Sequence, residues 1–176
     1  MVEMTTIPSW METRGEISMI IEFNLEYMSK TQKEIIPEFL DGLVSQLKRE
    51  IVRDIVPAKM KLREIDILNA SWIRWKKKPK HINMKSLVNY IVGNIRWVER
   101  DNYYIIEINR LVLMPNSYTP LHAIARFLDR GNNVMKGTAF ISKVFNKYRN
   151  CINDYWKSFV SLKLKEVVVN ECISIR

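Results

Sequence analysis

The chain has 176 residues, 47% of them hydrophobic, which suits one domain with a real core, with or without extensions. Five glycines and six prolines exclude a low-complexity chain, and no run approaches 18 uninterrupted apolar residues, so neither a membrane span nor a membrane partner is expected. The formal charge is +9 and unevenly placed: residues 1–57 hold six Lys/Arg against ten Asp/Glu, 58–100 hold eleven against three, and 101–176 hold eleven against six. An acidic first third beside a basic middle suggests complementary surfaces that meet between subunits, or a basic part that faces nucleic acid.

Residues 1–15 include Pro8 and Gly15 and show no clear period. They read as an arm, either disordered or ordered only on a partner, ahead of a single domain over 16–176. The terminus lacks a basic-then-apolar export pattern, so the protein is expected to stay where it is made. Glu16–Phe23 (EISMIIEF) is apolar and β-branched, as a strand is.

A long helix is expected from about Thr31 to Ile55. Thr31 and Glu34 have capping-box spacing. Ile36, Leu40, Leu43, Leu47, Ile51 and Ile55 form a stripe at helical steps. Pro37 should kink this helix or move its start to about Pro37, and Pro57 closes it. Lys59–Ile73 alternates in part, as a strand does. Ser71–His81 (SWIRWKKKPKH) is dense in charge and aromatics and reads as a loop or hairpin tip.

Ser86–Ile91 suits a helical turn, and Gly93-Asn94 breaks it. Two β-rich runs, Ile95–Arg100 and Tyr103–Met114, flank Asp101-Asn102 and read as a hairpin ended by Pro115. Pro120–Arg130 is a short apolar helix, followed by a loop over Gly131–Gly137. Thr138–Val160 is a long amphipathic helix whose stripe is Ile141, Val144, Phe145, Tyr148, Cys151, Ile152, Tyr155, Trp156 and Phe159. Gly131 suits a helix-ending left-handed residue, and Thr138 is the expected N-cap. Ser161–Val169 (SLKLKEVVV) alternates and then turns β-branched, so a final strand is expected there. The element list implies an α+β fold: a mostly antiparallel sheet packed against a long N-terminal helix and a long C-terminal helix.

The segment Ala125-Arg126-Phe127-Leu128-Asp129-Arg130-Gly131, a polar loop, Lys136-Gly137-Thr138-Ala139-Phe140-Ile141 and then a long terminal helix resembles the tail-completion, or tail-to-head joining (neck), family of long-tailed bacteriophages. That family shows an aromatic-rich segment ending in an acidic residue, a spacer and Gly. A loop and a small-aromatic start to the last helix follow. The resemblance covers about residues 30–160, and a strand after the last helix departs from it. It implies a structural virion protein at the head–tail connector, assembled in the host cytoplasm. There it would form a homo-oligomeric ring around the DNA channel, between head-completion or adaptor proteins and tail-terminator or tail-tube proteins, with genomic DNA in reach.

No catalytic, metal or cofactor site is expected. His81 and His122 are far apart, and no Cys or His pair has zinc spacing. Glu64 and Asp66 read as a solvated strand face before a cation site. Thr138 stands where a phosphate loop needs Lys after its second Gly. Cys151 lies on the apolar stripe, where a thiol is not activated; a buried thiol is expected there, before a disulfide to Cys172. Interface residues are instead expected in the arm (Ile7, Trp10, Met11) and in the loop (Asn132, Val134, Met135, Lys136). In the loop a polar tip carries apolar side chains that a partner would bury.

The alternative reading is a small basic nucleic-acid-binding module. Trp72, Arg74, Trp75, Lys76, Lys77, Lys78 and Lys80 interleave cations for phosphates with rings for bases. The same residues also suit tryptophans in a core or interface, with lysines as a solvated rim, and the basic segment could face an acidic protein as readily as DNA.

Overall fold

Alternation decides the central strand. In Ser18–Phe23 (β2) the side chains of Met19, Ile21 and Phe23 are buried on one face, as a period of two requires. The computed structural model describes residues 4–6, 17–55, 84–101, 103–114, 118–131 and 137–174. Its strands are Met4–Thr6 (β1), β2, Ile95–Glu99 (β3) and Tyr104–Ile108 (β4). They form one antiparallel four-stranded sheet in the order β1-β2-β4-β3. The fold is α+β. The expected arm therefore contributes an edge strand, with Met4 opposite Phe23 and Thr6 opposite Ile21. The expected segments over 59–73 and 71–81 lie outside the described residues.

The helices are Lys30–Glu34 (α1), Ile36–Ile55 (α2), Met84–Gly93 (α3), Leu121–Arg130 (α4) and Ser142–Ser174 (α5). The helix expected from Thr31 is thus two pieces, and its cap is not Thr31. Ser29 Oγ accepts from the Gln32 backbone N–H at 3.2 Å while Gln32 Oε1 accepts from the Ser29 N–H at 2.9 Å. This Ser29–Gln32 box overlaps the Thr31–Glu34 spacing and starts the helix two residues earlier. Pro37 then falls in the first turn of α2, where its missing N–H costs no helical bond. Leu40, Leu43, Leu47 and Ile51 of α2 are buried as the stripe requires.

The tail also differs from expectation. Ser161–Val169 continues α5 instead of forming a strand. From Thr138 to the end the chain has neither Gly nor Pro, so nothing stops the helix. Extending a formed helix gains one hydrogen bond per residue, and Leu, Lys and Glu favour it. These terms outweigh the β preference of Val167–Val169. At 33 residues, α5 is about 50 Å long.

The core lies between one sheet face and the helices α2 and α5. Its centre is aromatic: Trp156 meets Phe23 at 5.0 Å and Phe39 at 5.1 Å between ring centroids, both edge-on, and Phe159 closes the group at 5.5 Å from Phe39. Edge-to-face contact sets the positive edge of one ring on the negative face of another. Polar links fix the layers at the rim. Trp97 Nε1 donates to Asp41 Oδ1 at 2.7 Å, joining β3 to α2. Lys163 Nζ reaches Glu38 Oε1 at 2.6 Å, joining α5 to α2.

A third link has a titration signature. Glu50 on α2 accepts from Tyr148 Oη at 2.6 Å and from Lys147 Nζ at 2.8 Å, both on α5. The Lys147 bond, then the Tyr148 bond, holds the Glu50 carboxyl below its usual range. Burial, then the bond to Glu50, pushes the Tyr148 phenol well above its ordinary value.

Two predictions follow from this packing. Trp156 is 2% exposed, and Trp156→Ala should cost about 3–5 kcal/mol, read as a lower urea midpoint; an unchanged midpoint would remove the ring from the core. The Glu50–Tyr148 link should also shape stability against pH. Unfolded Glu50 protonates near 4.5 while folded Glu50 stays ionised, so its contribution is full above that pH and lost in acid. Unfolded Tyr148 ionises near 10 while folded Tyr148 keeps its proton, so its contribution is present below that pH and lost in base. Tyr148→Phe should flatten the urea midpoint against pH at both ends.

Candidate functional site

The segment that carries the family resemblance is a clasp between two helices. The apolar steps Leu121, Ile124, Ala125 and Leu128 bury one side of α4, and Asp129 beside them is only 2% exposed. Its Oδ1 accepts the backbone N–H groups of Ile141 at 2.7 Å and Ser142 at 3.0 Å. These are orphan donors at the start of α5, where the helix dipole also favours a negative charge. In return the end of α4 offers its carbonyls. Leu128 O accepts from Thr138 N–H at 3.0 Å and Thr138 Oγ1 at 2.8 Å, and Asp129 O accepts from Ala139 N–H at 2.8 Å.

Thr138 is therefore not the N-cap. Its hydroxyl faces back to α4, and the capping carboxylate comes from Asp129, thirteen residues before Ser142. Two glycines make the clasp possible. Gly131 has φ 76° and ψ −169°, a region essentially reserved for glycine. A Cβ on Gly137 would lie 2.3 Å from the Arg130 carbonyl carbon and 2.5 Å from Asp129 O, so no side chain fits there. Ala139 has φ 53°, an uncommon value for a residue with a side chain, and the bond to Asp129 O holds it there.

Beside the clasp, where β2 begins and β4 ends, a cleft of about 350 Å³ opens. Its base is Ile17, Ile108 and Phe127, and its rim carries Arg110, His122 and Arg126. A smaller hollow shares Ile17 and Ser18 and adds Arg130 and Arg149. Glu107 is the acid of the group. It is 3% exposed and meets Arg110 Nε at 2.9 Å and Arg96 Nη2 at 3.8 Å, the pairing a buried carboxylate needs. Arg149 Nη2 donates to Ser18 O at 3.2 Å. Four arginines thus line the two hollows, Arg110 and Arg126 in the larger and Arg130 and Arg149 in the smaller, beside an apolar base.

None of the residues expected from sequence to form a site falls within this description. Ile7, Trp10, Met11, Trp72, Arg74, Trp75, Lys76, Lys77, Lys78, Lys80, Asn132, Val134, Met135 and Lys136 all lie outside the described residues. So do His81, Glu64 and Asp66. Gly131, which opens the expected interface loop, does border the cleft. Cys151 is a free, half-buried thiol whose Sγ donates to Lys147 O at 3.2 Å. Among the described residues no three His, Cys, Asp or Glu gather as metal ligands, and no helix is long and apolar enough to cross a membrane.

Sequence reasoning missed the arginine cleft, although Arg126 and Arg130 are four apart on the polar side of α4 and Arg149 is polar on α5. Compared with known proteins, the chain has no significant match to a family model, a curated protein or a solved structure.

The clasp yields a measurable expectation. Asp129→Ala strips the two N–H groups of their acceptor and should cost about 2–3 kcal/mol in urea unfolding. Gly137→Ala should be at least as damaging, because the atoms it meets are backbone. If both variants unfold at the midpoint of the parent, the clasp does not hold the two helices.

Proposed function

We propose that this chain is a structural, non-enzymatic protein of a phage virion, acting at the head–tail connector as one subunit of a ring around the DNA channel. The observation that carries the reading is the correspondence between the family-like pattern and the clasp. The acidic residue, the spacer and the Gly are Asp129, Arg130 and Gly131. The small-aromatic start of the last helix is Ala139-Phe140. In the fold these positions hold the last two helices together, and Ala139 takes the φ that brings Ile141 and Ser142 onto Asp129. A degenerate sequence pattern thus coincides with positions where few residue types fit.

On this reading the ring's partners are head-completion or adaptor proteins on one side and tail-terminator or tail-tube proteins on the other, with the passing genome as a further neighbour. The ring would be built in the host cytoplasm and remain in the virion. The loop that begins at Gly131 and the stretch of the arm after Thr6 are the proposed contact elements.

The purified chain, alone and mixed with the products of its neighbouring genes, should form closed rings with a central channel in negative-stain electron micrographs. Replacing Val134 and Met135 by Ser should leave the fold intact by circular dichroism and reduce incorporation into such rings. A chain that stays monomeric in every mixture and binds duplex DNA would favour the nucleic-acid module instead. That binding should weaken, with a shallower salt dependence, when Lys76, Lys77 and Lys78 are neutralised.

A further inference from the structure

We draw no further inference here: the strongest candidate, the outer edge of β3, where Ile95, Trp97 and Glu99 direct their backbone groups away from β4 and no strand pairs with them among the described residues, carries nothing, because nothing in the structure shows what covers it.

Discussion

A single carboxylate organises the second half of this protein. Asp129 closes α4, yet its side chain is spent on the first free N–H groups of α5. The last helix therefore cannot choose its own starting direction. It leaves the clasp on the line that carries Phe145, Tyr148, Ile152 and Trp156 onto the sheet. The rest of the core depends on that line, because Trp156 meets Phe23 and Phe39 only if α5 crosses β2 and α2 at this height. Gly131 and Gly137 serve the same end by letting the backbone fold back on itself without side chains in the way.

The clasp also has a consequence for the surface beside it. Holding α4 across the end of the sheet brings Arg126 and Arg130 from that helix toward Glu107 and Arg110 at the end of β4 and Arg149 from α5. These residues are spread from Glu107 to Arg149, too far apart along the chain for one short motif to hold them all. Their meeting is a product of topology, and it sets cations around a buried acid and an apolar floor.

The same distinction explains what could be read from the chain in advance. The hairpin of β3 and β4, the short helix before Gly131 and the stripe from Ile141 to Phe159 are signalled by periodicity within a few residues, and they are present. The caps do not follow from spacing alone, because a cap is chosen by geometry. Ser29 and Thr31 both offer the right spacing, and the first one reached is used. Thr138 had the right chemistry next to the helix, while the residue that caps it comes from another helix. In the tail SLKLKEVVV alternates as a strand does, but alternation is weak against a helix already running with no Gly or Pro to end it. The basic cluster at 72–80 is legible in sequence because its charges are contiguous, whereas the cleft's arginines are dispersed from 110 to 149.

The strand order carries a consequence in time. β2 is made before its partner on one side, β4, which lies more than eighty residues later, and the helix that covers its core face ends later still. Contacts so distant in sequence cost loop-closure entropy before any burial repays it. Until residue 108 has left the ribosome, Met19, Ile21 and Phe23 have no β4 beside them, and until Val160 follows they have no complete core. The nascent chain thus carries an apolar strand without its central partner while the intervening eighty residues are made, a state in which strand edges pair with whatever is near. On this account the chain's dependence on chaperones should be concentrated in that interval, before α5 is made.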